Sequence, residues 1–203
     1  MFRPLLALGA VLVLTTTFAA GAEPISDITN ASPQQVADAV TFKKTKFDVD
    51  TFIKGPEWKA PFATAGQSPD FYFDQSRAVA SKNSAGKMTN AFLEINVVYR
   101  AKEFANFDST TLEGGDKPET TRLGQRQIIC ANDGLCGFIE SIGVQLPNGY
   151  LAAKANSGFD IRISAEDGSQ HVLTVPSNYI KGFLLALARP LGADGLPRPA
   201  PAK

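Results

Sequence analysis

Cys130 and Cys136 are the two cysteines of this chain, and His171 is its one histidine. Zinc ordinarily takes four ligands, and these three residues stand at no finger-like spacing. A redox-active thiolate is typical of a Cys-x-x-Cys pair at a helix N-terminus, whereas here five residues intervene between strand-like flanks. A disulfide suits an even cysteine count in an exported chain. Ala131-Asn132-Asp133-Gly134-Leu135 reads as a turn. A hairpin centred on Asp133 sets Cys130 against Cys136, Ile128 against Phe138 and Arg126 against Glu140. Opposed residues of an antiparallel pair lie about 4.5–5.5 Å apart at Cα, within bridging range. The sequence therefore predicts a Cys130–Cys136 disulfide. It also predicts a structural ion pair between Arg126 and Glu140, because Glu140 falls on the apolar face of Phe138, Ile142, Val144 and Leu146, and a buried carboxylate is costly unless paired.

Other constellations are weaker. A histidine triad or a multi-histidine metal site would have to use His171, which reads as a rim or core residue beside a hairpin loop. There is no Gly-x-Ser-x-Gly elbow, and "NSAGK" (83–87) lacks the spacing and the hydroxyl residue of a phosphate loop. Asp48 and Asp50 alternate on one predicted strand face. They could serve a glycosidase or a calcium site, but such a pair is more often the solvated side of an edge strand. Phe71 and Phe73 share one face with Tyr72 on the other. With the loop residue Trp58 they form the candidate ligand surface, against core packing as the plainer reading. No metal and no cofactor is expected.

These residues must be positioned by a β-rich chain. The start, MFRPLLALGAVLVLTTTFAAGAEP, has Arg3, an uncharged apolar run and a small-x-small site at Ala20-Gly21-Ala22, so residues 1–22 are expected to be a cleaved signal peptide. Its apolar run is shorter than the roughly 20 residues that span a bilayer. The chain is thus expected to be periplasmic or secreted, without a transmembrane segment after cleavage. Basic and acidic residues balance at 20 each, and no run of five like charges occurs, so overall charge gives no long-range pull toward nucleic acid or anionic lipid.

A flexible lead-in is expected over 23–31, a single domain over 32–189 and a disordered Pro/Ala-rich tail over 190–203. "SPQQVADAV" predicts a short helix capped by Ser32 with Pro33 at its first position. Strands are predicted at "FDVDTF", "DFYFDQSRAV", "AFLEINVVYRA", "TRLGQRQIIC", "CGFIESIGVQL", "GFDIRISAE" and "QHVLTV". A three-residue loop at Glu166-Asp167-Gly168 sets Phe159 opposite Val175, Ile161 opposite Leu173 and Ile163 opposite His171. "SNYIKGFLLALARP" predicts a final helix, with Ser177 as its cap and a stripe of Tyr179, Ile180, Phe183, Leu184 and Leu187. The expected fold class is mainly β (α+β): an antiparallel sandwich or curled sheet with a short N-terminal helix and a C-terminal packing helix.

"DVDTFIKGPEW", "LGQRQIICANDGLCGFIESIGVQLP", "GFDIRI" and "VPSNYIKGFLLAL" carry a resemblance. Across most of Val49 to Leu187 the chain resembles a loose group of uncharacterised exported or lipid-anchored bacterial envelope proteins. Its marks are the Arg-x3-Cys…Cys-x3-Glu hairpin and the Tyr-Ile-x-Gly-Phe-Leu helix. This chain lacks a cysteine at the leader's end, so a lipid anchor is not implied. The resemblance supports the architecture and implies no activity.

The sequence points to an exported binding or structural module. It would act through a sheet edge or through a surface near Trp58 and the polar segment 103–121, toward another envelope protein or a small ligand. The rival reading is a carboxylate-dependent periplasmic hydrolase using Asp48, Asp50 or Glu140.

Overall fold

The computed structural model describes residues 28–58, 71–130 and 136–198, with backbone alone at 125, 126 and 129. The predicted signal peptide lies outside the described residues.

Local signals nucleate the helices. The Ser32 hydroxyl accepts the Gln35 N–H at 3.2 Å, and the Gln35 side chain accepts the Ser32 N–H at 2.8 Å. This reciprocal pair opens helix α1 (Pro33–Asp38). Helix α2 (Tyr150–Ala153) is a single turn, and α3 (Ser177–Leu187) closes the domain. The residue that precedes α3 in extended conformation is Pro176, so Ser177 is its first residue and not its cap. Proline fixes the entry φ, and Ser177 has already joined the helix. Gly182 is where α1 and α3 touch: a Cβ there would meet Val36 Cβ at 2.4 Å and the Pro33 carbonyl at 2.5 Å.

The strands are β1 (Thr41–Lys43), β2 (Thr51–Lys54), β3 (Phe71–Lys82), β4 (Met88–Ala101), β5 (Phe107–Leu112), β6 (Thr120–Cys130), β7 (Cys136–Gln145), β8 (Phe159–Ala165) and β9 (Gln170–Val175). They form a six-stranded sheet in the order β1-β2-β3-β4-β7-β6 and a three-stranded sheet in the order β5-β8-β9, antiparallel throughout. Alternation decides which face is buried. Leu93, Ile95, Val97 and Tyr99 of β4 share the inner face with Phe138, Ile142 and Val144 of β7, and Phe159, Ile161 and Ile163 of β8 supply the facing layer. Tyr179 of α3 binds this core to β3: its hydroxyl accepts the Ala78 N–H at 2.9 Å and donates to the Pro56 carbonyl at 3.1 Å. The Lys82 ammonium donates to the Leu187 carbonyl at the last turn of α3, where the helix dipole favours a cation.

The second predicted hairpin register is observed in full, Phe159 with Val175 through Ile163 with His171, and the first from its tip as far as Cys130 with Cys136 and Ile128 with Phe138, but not at Arg126 with Glu140. Several expectations are corrected. Asp48 and Asp50 do not lie on a strand. Asp48 Oδ2 accepts the Thr45 N–H at 2.6 Å and its own N–H reaches the Thr45 carbonyl, a side-chain-locked turn that delays β2 until Thr51. The segment 103–121 is not one long loop, because it contains β5, whose Thr110 and Leu112 are buried. The lead-in is packed over 28–31: Ile28 is buried, and the Asn178 amide donates to the Ile28 and Ala31 carbonyls at 2.6 Å each. The tail is folded as far as 198. Leu191 bridges Pro197, and the Gly195 carbonyl accepts from the Thr51 hydroxyl at 3.2 Å. Ile128 is 53% exposed although its partner Phe138 is buried, because β6 is the edge strand of its sheet.

Candidate binding site

The chain leaves the first sheet at Ala101, crosses through residues 102–106 and enters the second sheet at Phe107. That crossing is pinned from below by a buried carboxylate. Glu140, 2% exposed, lies opposite Val97, one diagonal from Tyr99 on the same face. The Tyr99 hydroxyl donates to Glu140 Oε1, and the same oxygen accepts the Asn106 N–H at 3.0 Å. The Ala105 N–H donates to Tyr99 Oη at 2.8 Å. Asn106 sits at φ +61°, a left-handed conformation that asparagine tolerates better than most residues, and its amide donates to Glu166 at 2.8 Å. Two consecutive backbone N–H groups are thereby satisfied by side chains of the first sheet.

Above this anchor lies a cavity of about 460 Å³. Phe71, Tyr99, Phe104 and Phe107 line it. Phe104 packs edge-on to Phe138 at 4.6 Å, and Tyr99 contacts Phe107 at 5.6 Å. The His171 imidazole stacks on Phe71, with ring centroids 3.3 Å apart and planes within 6°. Arg100, Lys102, Glu103 and Asp167 carry charge of both signs around the opening. Burial pushes the His171 pKa down, partly offset by the Asp167 charge. The hydrogen bonds from Ser169 hold the Asp167 carboxyl below its usual range. Such a site can seat the planar or apolar part of a small molecule and meet polar groups of either sign at its rim.

The structure separates the residues singled out in the sequence. Cys130 and Cys136 stand directly opposed with sulfurs 2.01 Å apart, the separation of a disulfide, and Cys136 pairs with Ala101 beside the cavity. Phe71 reaches the cavity. Trp58 and Phe73 are each only 2% exposed and belong to the core, so they are not a ligand surface, and Tyr72 points to the opposite side of β3. Trp58 instead packs on Tyr179 at 4.3 Å. The Arg126 pairing assumed an unbroken ladder. A bulge between Leu123 and Gln127, with Gly124 at φ +65°, interrupts it opposite Glu140, and the Arg126 side chain lies outside the described residues.

Asp48, Asp50 and Glu140 are not gathered. The aspartates precede β2, and β2 and β7 are three ladder steps apart, about 14 Å at the usual strand spacing. Among the described residues no cluster of three or more His, Cys, Asp or Glu could hold a metal ion, and no helix is long and apolar enough to cross a membrane. Phe104, Phe107, Arg100 and Lys102 were not singled out from the sequence. The one available signal was that the segment after β4 is polar yet carries two phenylalanines.

No family model, no curated protein and no solved structure matches this chain.

Proposed function

We propose that the chain is an exported, non-enzymatic binding module of the bacterial envelope, whose ligand is a small molecule with a planar apolar part. The observation that carries this reading is the cavity lined by Phe71, Tyr99, Phe107 and His171, with His171 stacked on Phe71. Aromatic rings offer a large contact area for little conformational entropy, which suits stacking recognition. The separation of Asp48 and Asp50 from Glu140 weighs against the hydrolase reading, because paired catalytic carboxylates of glycosidases lie about 5–9.5 Å apart. Glu140 spends its Oε1 on Tyr99 and Asn106, which makes it a scaffold residue.

The test is titration of the folded protein with 1-anilinonaphthalene-8-sulfonate, a planar aromatic anion, followed by fluorescence and calorimetry. Saturable one-to-one binding, lost in Phe104→Ser and weakened in Lys102→Gln, supports the reading. Absence of saturable binding, or binding indifferent to both changes, refutes this cavity as the site. Export is checked separately: the mass of the protein recovered from the periplasm should correspond to a chain beginning after Ala22.

A further inference from the structure

The overall charge balance conceals a local segregation. Between Thr41 and Lys54 the chain carries Lys43, Lys44, Lys46 and Lys54 against Asp48 and Asp50. The two acids are engaged locally, Asp48 with the Thr45 N–H at 2.6 Å and Asp50 with the Thr89 hydroxyl at 2.6 Å. The turn they shape projects two apolar side chains outward: Phe47 is 84% and Val49 83% exposed. Lys46 Nζ lies 4.9 Å from the Phe47 ring centroid, so a cation accompanies the protruding ring.

A second segment is fixed beside this turn. A Cβ on Gly195 would meet Lys44 Cδ at 2.4 Å and Thr51 Oγ1 at 2.6 Å, so the 192–195 turn lies directly against the lysine stem. The next residue, Leu196, is 45% exposed, and Arg198 is exposed as well. Scattered single apolar residues on a surface need no explanation. Edge-strand lysines such as Lys43 are also explained by protection against strand addition. Neither argument accounts for two almost fully exposed apolar side chains, two positions apart in one turn that carries lysines.

We infer that the Lys43–Val49 turn is a docking surface for an anionic phospholipid bilayer, with Phe47 and Val49 entering the headgroup region and Lys43, Lys44 and Lys46 meeting the lipid phosphates. Apolar insertion combined with basic attraction is the general physics of peripheral membrane association. The inference is independent of the cavity. It adds a reversible membrane attachment to the binding module proposed above.

The experiment is flotation of the mature protein with vesicles of pure phosphatidylcholine, or of phosphatidylcholine and phosphatidylglycerol in equal amounts. The wild type should float with the anionic vesicles only, and rising salt should release it. Lys43→Gln/Lys44→Gln/Lys46→Gln should weaken partitioning by roughly tenfold or more, since each basic residue near an anionic surface is worth about a fivefold factor. Phe47→Ser/Val49→Ser should also lose flotation, whereas Lys117→Gln, in the exposed turn between β5 and β6, should not. In a separate Phe47→Trp protein, added emission should shift to shorter wavelength on mixing with anionic vesicles. Failure of the wild type to float with anionic vesicles overturns the inference. So does flotation unaffected by either patch variant, or a patch substitution that instead splits a dimer on size exclusion.

Discussion

Tyr99 and Glu140 form a buried diagonal pair across the β4–β7 ladder, and through it the first sheet holds the chain segment that crosses to the second. The phenol donates to the carboxylate while accepting the Ala105 N–H, and the carboxylate accepts the Asn106 N–H. One side chain of each strand thus fixes the crossing residues that wall the cavity.

Tyr99→Phe removes that hydroxyl, leaves the part-buried Ala105 N–H without its acceptor and takes a donor from the buried Glu140 carboxylate. The expected loss is about 1–3 kcal/mol, the usual cost of leaving a buried polar group unsatisfied. Urea unfolding checks it: the midpoint should fall with an unchanged slope, since the surface exposed on unfolding is nearly the same. Glu140→Gln should damage folding more than it damages ligand binding measured on the fraction that folds.

Acid should destabilise the fold through His171. Burial lowers its folded pKa beneath the ordinary value of 6.5, so the unfolded chain takes up the proton first as pH falls. The contribution is complete above about pH 6.5, declines as pH drops toward the folded pKa and levels off below it. Asp167, lowered from an ordinary value of 3.8, adds its own loss only in more acidic solution. Unfolding midpoints measured between neutral and mildly acidic pH should therefore fall in the wild type and stay flatter in His171→Gln. His171 is the single histidine, so its ring proton resonances give the folded pKa directly.

Removing the Cys130–Cys136 link should cost about 2 kcal/mol, the lower part of the usual range, because the loop it closes is short. The double substitution Cys130→Ser/Cys136→Ser should lower the thermal midpoint and leave the far-ultraviolet spectrum intact. A complete failure to fold would mean that the hairpin depends on the link more than its length implies.

Gly182→Ala should separate α1 from α3. The added methyl would stand 2.4 Å from Val36 Cβ and 2.5 Å from the Pro33 carbonyl, and backbone cannot yield as a flexible side chain can. Overpacking of this kind costs about 1–3 kcal/mol. Thermal unfolding measures the loss. Truncating Val36 to glycine in the same chain should recover little, because the carbonyl contact remains.

Local patterns were readable wherever neighbours in sequence are neighbours in space. The Ser32 cap, the alternation of Leu93 through Tyr99, and the registers of both tight hairpins each depend on a few consecutive residues. Where a local competitor existed, the pattern misled. Asp48 alternates like a strand residue, yet its side chain locks a turn on Thr45. The polar run after Ala101 looks like a loop, yet Phe107, Thr110 and Leu112 turn inward as β5, with a register shift after Phe107 that breaks simple alternation.

By itself the sequence determined an antiparallel, disulfide-linked β domain with two flanking helices, because periodicity, turn chemistry and short-loop register are local properties of the chain. Only the tertiary structure decided what Glu140 meets and where a ligand could sit. Tyr99, forty-one residues earlier in the chain, reaches Glu140 because β7 pairs with β4, and Phe71, Phe104, Phe107 and His171 converge because the chain crosses between two sheets. Those contacts depend on strand order and sheet packing, which no short window of residues encodes.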